Sequence, residues 1–231
     1  MSLFVIADTH LSLSDDKPMD IFGGWDNYVQ RLEKNWRALV EPEDTVVIPG
    51  DVSWAMSLEN CKKDFAFLHS LPGTKILMKG NHDYWWTTKS KMDKFLAEND
   101  FYSLKILSNN SFLYENIAIC GTRGWIFEQG QQQDHKIIAR EAGRLELSLQ
   151  DAEKNFPNCE KLVFLHYPPI YGNEKNQEIL QVLKKWNIKR CWYGHIHSGG
   201  CRFALNGEED GIDYRLVSAD FLKFTPKIIH L

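Results

Sequence analysis

Asp8-Thr9-His10, Gly50-Asp51, Gly80-Asn81-His82-Asp83 and Gly194-His195-Ile196-His197 each combine a metal-binding side chain with an apolar run just before it. His166 ends another such run, Leu162-Val163-Phe164-Leu165. Carboxylate, amide oxygen and imidazole donors gathered at strand ends are the equipment of a two-metal hydrolytic centre. In a strand, residues i and i+2 point the same way. Asp8 and His10 are therefore expected to converge on one ion, and His195 and His197 repeat the spacing after Gly194. The two oxygens of Asp51 could bridge two cations, Asn81 offers a neutral carbonyl oxygen, and His166 adds an imidazole nitrogen. This donor mix suits Mn, Fe, Zn, Co or Ni better than Mg or Ca, which prefer all-oxygen sites.

Charge sharpens the expectation. Two divalent ions bring four positive charges, and Asp8 and Asp51 return two negative ones. The mouth of such a site stays positive and favours a phosphate monoester or diester. His82 is left free of metal. Asp83 beside it is expected to fix its tautomer and hold it protonated, which makes His82 the general acid for a leaving oxygen.

The elements that must position these groups read as strand–helix units. Buried strands are expected at Leu3–Ala7, Thr45–Ile48, Lys75–Met78, Lys161–Leu165 and Cys191–Tyr193, each feeding a motif. Helices are expected from an Asp26 N-cap to about Val40, with Val29, Leu32, Trp36 and Leu39 on one face, and near 58–70, 86–98, 135–153 and 174–187. Phe112–Tyr114 and Ile117–Cys120 read as a hairpin around Glu115-Asn116. The C-terminal part reads as a meander: strand Cys201–Leu205, a turn at Asn206-Gly207, then Tyr214–Ser218 and Lys227–Leu231. Loops 12–25 and 122–136 are expected to set the width of the pocket.

The chain has 231 residues, 43% of them hydrophobic, enough for one large α/β domain over 1–231. Its net charge of −4 and pI of about 6.1 disfavour non-specific duplex binding, which needs basic residues to release counterions. The five cysteines, Cys61, Cys120, Cys159, Cys191 and Cys201, are scattered, which suggests reduced thiols and a cytoplasmic location. The run before Asp8 is too short for a signal peptide or membrane span, so no membrane association is expected.

The five blocks in this order resemble the signature of the calcineurin-like metallophosphoesterase superfamily: D-x-H, G-D, G-N-H-D/E, a single His and G-H-x-H. They run from residue 8 to residue 197. The resemblance implies a four-layer α/β/β/α sandwich of two mixed β-sheets flanked by helices. It implies one metal held by Asp8, His10, Asp51 and His197, and another held by Asp51, Asn81, His166 and His195. His82 is then the catalytic histidine. The implied activity is hydrolysis of a small phosphoester by hydroxide bound at a dinuclear metal centre. Trp54 stands where some members carry an Asp, and Leu165 where many carry a Gly; neither change removes a ligand.

Arg123, in Gly121-Thr122-Arg123-Gly124-Trp125, could form a bidentate contact with phosphate or a surface salt bridge. Trp125, like Trp25, Trp54, Trp85 and Trp86, could pack structurally or stack on a substrate ring. His69, His135 and His230 lie in no motif and read as structural. The alternatives to a small-molecule phosphoesterase are a nuclease, which requires a basic groove beside the site, and a non-catalytic metal-binding scaffold, which would be expected to lack a ligand. Oligomeric state is not legible.

Overall fold

A computed structural model describes residues 1–230 except 15, 16, 18 and 126–134. Residues 126–134 of the loop expected over 122–134 therefore lie outside the described residues.

Two mixed sheets stack face to face. The first has the order β13-β1-β2-β3-β4. It is built from β1 (Leu3–Val5), β2 (Thr45–Ile48), β3 (Thr74–Leu77) and β4 (Leu104–Ile106), all parallel, with β13 (Lys227–Ile229) antiparallel on the β1 edge. Its crossovers are the helices α1 (Tyr28–Leu39), α2 (Lys62–Ser70) and α3 (Lys89–Glu98). The second sheet has the order β11-β12-β10-β7-β6-β5. It contains β5 (Phe112–Tyr114), β6 (Ile117–Thr122), β7 (Glu160–Leu165), β10 (Arg190–Tyr193), β11 (Gly207–Glu209) and β12 (Ile212–Leu216), with α4 (His135–Asn155) and α5 (Gln177–Lys185) on its outer face. A two-stranded ribbon pairs β8 (Ile170–Tyr171) with β9 (Glu174–Lys175).

Strand alternation assigns the layers. Phe4, Ile6, Val46 and Ile48 face α1–α3 with Leu32, Trp36 and Phe65. Their neighbours Leu3, Val5, Ala7 and Val47 turn inward and meet Ile119, Leu162, Phe164 and Trp192 of the other sheet. Val163, Leu165, Cys191 and Tyr193 face Leu145, Leu149 and Leu183 of α4 and α5. Three apolar interfaces separate four layers, so the expected α/β/β/α sandwich is the observed one. Central strands buried on both faces read as continuous apolar runs, which is why they were legible. Among the described residues no helix is long and apolar enough to cross a membrane.

Several boundaries differ from expectation. α1 starts after Asn27, not Asp26; Tyr28 joins its buried face, and Leu39 is 46% exposed. α5 starts three residues late because Glu174-Lys175 pairs with Ile170-Tyr171, and Asn176 supplies the N-cap, accepting from Ile179 N at 3.0 Å. Ser198–Phe203 forms a 3-10 helix, where a strand was expected to begin at Cys201. The hairpin turn lies at Asp210-Gly211, not Asn206-Gly207. Both turn residues have positive φ, 52° and 76°, as a tight two-residue hairpin requires. Asn206 instead accepts a hydrogen bond from Leu216 N through its side chain.

Candidate metal centre and active site

The parallel strands β1, β2 and β3 of one sheet and β7 and β10 of the other all deliver their C-terminal ends to one place. There the chain turns out of the strands through left-handed backbone: φ is 60° at Asp8, 44° at His10, 50° at Asp51 and 71° at His195. Asp, Asn and His tolerate this region best among non-glycine residues, yet each such residue stores roughly 1–3 kcal/mol. Asp8 and His10 therefore converge through a turn, not through strand alternation, because β1 ends at Val5. His195 likewise reaches the site by a turn after Gly194.

Glycines permit the close approach. A Cβ on Gly80 would lie 2.0 Å from Asp51 Oδ1, one on Gly194 would lie 2.5 Å from Asp8 Oδ2, and one on Gly50 would lie 2.7 Å from His166 Nδ1. The backbone carries the carboxylates in turn. His195 N donates to Asp8 Oδ2 at 2.9 Å, and His82 N donates to Asp51 Oδ1 at 2.8 Å.

Asp8, His10 and His197 place ligand atoms within 4.8 Å of one another, and so do Asp8, Asp51 and His166. Asp51 Oδ2 stands between the two groups, 3.7 Å from His10 Nε2 and 3.6 Å from His166 Nε2. Asn81 Oδ1 lies 2.6 Å from His166 Nε2 and 2.9 Å from His195 Nδ1. All seven expected ligands thus meet in one cluster.

The chemistry of the cluster fits a pair of cations. Burial lifts the Asp8 carboxyl to about 6, opposed by His197. Burial, together with Asp83 and Asp8, pushes Asp51 well above the usual carboxylate range. Burial and the neighbouring imidazoles hold His10 and His166 far below their ordinary value, and His195 falls to about 3. Crowded, desolvated acids and neutral imidazoles with available lone pairs are what bound metal ions stabilise. His166 Nδ1 lies 3.1 Å from Pro49 O; donation there presents Nε2 to the centre.

Sequence reasoning missed Asp220. Its Oδ1 lies 2.9 Å from His197 Nδ1, and its Oδ2 accepts from Ser198 N at 2.8 Å. Burial pulls His197 down, but Asp8 and the Asp220 hydrogen bond outweigh it and raise the ring's pKa. No spacing rule links positions 197 and 220; only the turn after β12 brings them together.

Asp83 departs from its expected role. Its carboxylate accepts from Val52 N, Ser53 N and Trp85 Nε1 on Oδ1 and from Gly80 N on Oδ2. With those four donors it braces the loops after β2 and β3 and makes no hydrogen bond to the His82 ring. The buried His82 Nδ1 has no hydrogen-bond partner among the described residues, and burial with His197 and Lys17 lowers the ring's pKa. The contact by which Asp83 was expected to hold His82 protonated is not present.

His82 stands at the wall of a cavity of about 330 Å³ beside the ligands. Met19, Phe22, Trp25 and Trp54 line it together with His10, Asp51, His195 and His197. Trp54 stacks on His10, ring centroids 5.0 Å apart, and packs against His82 at 4.3 Å. Arg123 and Trp125 do not line this cavity. Arg123 pairs with the buried Glu141 at 3.4 Å, and Trp125 packs on Tyr167. The ion-pair reading of Arg123 is the observed one, but with a buried partner, not a surface one.

The calcineurin-like phosphoesterase family matches residues 1–199 of the chain. No curated protein matches it. Among solved structures, phosphopantetheinyl hydrolase from Mycobacterium tuberculosis is similar at 13% identity and a TM-score of 0.58, covering 99% of this chain and 95% of that one. A protein of unknown function from Aquifex aeolicus is similar at 15% identity and a TM-score of 0.56, covering 98% of this chain and 95% of its own. At such identities the likeness is one of fold. The family match and the assembled ligand cluster agree: this chain belongs to the calcineurin-like phosphoesterases, metal-dependent hydrolases of phosphoric esters.

Proposed function

We propose that the protein hydrolyses a small phosphomonoester or phosphodiester at a dinuclear centre. The observation that carries this reading is Asp51 Oδ2, set between His10 Nε2 and His166 Nε2 at nearly equal distances. One ion would be held by Asp8, His10, Asp51 and His197, the other by Asp51, Asn81, His166 and His195. The donor set suits Mn, Fe, Zn, Co or Ni. When bound, two such ions supply Lewis acidity and lower the pKa of coordinated water.

The chain's own residues do the rest. His82 serves as proton donor to the leaving oxygen. Burial, His197 and Lys17 lower the ring's pKa, and an arriving phosphate dianion opposes that depression. The ring takes up a proton from solvent before passing it to the leaving oxygen. Trp54 holds the ring from one side. Trp25, Phe22 and Met19 form an apolar wall that excludes water and strengthens electrostatic interactions inside. Asp220 and Pro49 O orient His197 and His166.

The acidic composition weighs against a nuclease, and the full ligand set weighs against a non-catalytic scaffold. The domain is read as one unit over 1–231. Its five free cysteines suit the reducing cytoplasm. The test is a screen of aryl phosphate mono- and diesters, nucleotides, DNA and RNA after reconstitution with each metal. Turnover of a small ester with two ions bound per chain supports the reading. Metal binding without hydrolysis of any ester, or activity confined to nucleic acid, overturns it.

A further inference from the structure

A second cavity opens at the same end of the sandwich, beyond β3, β4 and β6. It is lined by Lys79, Ser108, Asn109, Thr122, Arg123 and Arg144 among others. Its backbone is continuous with the metal centre. Lys79 precedes Gly80-Asn81, and Arg123 O accepts from His166 N at 3.1 Å and Tyr167 N at 2.8 Å.

Among the described residues the charge in this cavity does not balance. The buried carboxylate of Glu141 takes Thr122 Oγ1 at 2.9 Å, Arg144 Nη1 at 3.0 Å and Arg123 Nη2 at 3.4 Å, with Arg140 Nε at 3.7 Å. Lys79 makes no ion pair among the described residues. Asp83 is the other acid near it, and that carboxylate is already taken by four donors. A second observation points to a missing acceptor: Arg123 Nε is buried and has no hydrogen-bond partner among the described residues. A buried guanidinium donor without an acceptor is costly, and a charged acceptor satisfies it best. Ser108, Asn109 and Thr122 add neutral polar groups of the kind that orient an oxyanion. About 30 Å³ is open to oxygen-sized atom centres, room for one carboxylate or phosphate group but not for a ring.

We propose that this cavity is an oxyanion-binding subsite, contacted by Lys79, Arg123 and Arg144, and that it takes a second anionic group carried by the substrate. The second half of this statement rests on the phosphoesterase reading. The substrate class is then a phosphoester with a carboxylate or further phosphate at one end. The scissile phosphate would sit at the proposed metal centre, and the organic group that carries the second anion would run toward Lys79 and Arg144.

The test reads binding and turnover separately on the metal-loaded protein. Inorganic phosphate is titrated while the Nε–Hε resonances of the arginines are followed by NMR. Saturable shifts of the Arg123 and Arg144 resonances are expected, with the phosphate affinity read at Arg123 weakened about tenfold or more in Arg144→Gln and partly restored in Arg144→Lys. An Arg123 resonance that does not move, or that responds identically in both variants, overturns the subsite. Turnover then distinguishes free anion from substrate group. An aryl phosphate bearing a remote carboxylate is expected to have a lower KM than the plain ester, and Arg144→Gln is expected to erase that advantage while leaving plain-ester turnover unchanged. Equal KM values for the two esters overturn the substrate half and leave a site for free phosphate. Absence of turnover with either ester counts against the phosphoesterase reading, while the resonance shifts still decide the subsite.

Discussion

His197 Nδ1 and Asp220 Oδ1 lie 2.9 Å apart, so the last ring of the G-H-x-H block is aimed by a carboxylate from beyond β12. The other nitrogen of that ring, Nε2, stands 3.7 Å from Asp8 Oδ1. A carboxylate behind a metal-binding imidazole fixes its tautomer and raises its basicity. Asp220→Ala is expected to weaken metal binding by about 10–100-fold. Titration of the metal-free protein with Zn or Mn, followed calorimetrically, checks this. An unchanged affinity would mean the contact is incidental.

His82 is expected to matter in proportion to the basicity of the leaving group. His82→Ala should lower kcat by about 10²–10⁴-fold on an alkyl phosphate, and far less on a nitrophenyl ester that departs without a proton. Metal content should be unchanged. Equal losses on both substrates would assign His82 to positioning and not to proton donation.

Asp51 and Gly80 form one device. Asp51→Asn removes the charge shared between the two groups of ligands and should strip both ions rather than one. Gly80→Ala should mimic it, because its Cβ would meet Asp51 Oδ1 at 2.0 Å. Elemental analysis of the purified variants gives the count. Retention of one ion in either variant would show that Asp51 does not bridge.

Lys75 links stability to pH. It is fully buried and donates to Leu71 O at 2.6 Å and Gly73 O at 2.7 Å. Burial, with Arg37 adding to it, lowers its pKa from 10.5 to about 8. Between those values the unfolded chain binds more protons than the folded one, so stability rises with pH across that window. Burial raises the thiols of Cys120, Cys191 and Cys201 and opposes this gain above about pH 8.5, so the Lys75 contribution is read as the difference between wild type and Lys75→Met. In urea denaturation that difference should grow by about 1–2 kcal/mol from about pH 7.5 to about pH 9.5, on top of a cost of about 1–3 kcal/mol for leaving two carbonyls unpaired.

The proposed ligands were legible because each follows an apolar run long enough to read as a strand, and strand ends are where such folds present chemistry. The manner of convergence was not legible. Positive φ at Asp8, His10, Asp51 and His195 is imposed by the turns, and no periodicity encodes it. β8 and β9 were missed because they are two residues long, too short for alternation to register, and β4 because its central residue is the charged Lys105. Asp83 misled by adjacency: neighbouring residues point apart in extended or turning chain, and its acceptors were claimed by the backbone N–H groups of Gly80, Val52 and Ser53 and by Trp85 Nε1. Asp220 carried no sequence signal, because what matters is its place beside His197 in space.

The proposed ligands are divided between the two sheets. Asp8, His10, Asp51 and Asn81 hang from β1, β2 and β3, whereas His166, His195 and His197 hang from β7 and β10. Ions seated among them would rivet the two slabs at the rim where Ala7 already pairs with Val217 and Ala219, much as a cross-link does. Cofactor loading should then raise the melting temperature and slow amide exchange in β1 and β10 together, because occupancy favours the native state by mass action. The catalytic centre would double as the clasp of the sandwich.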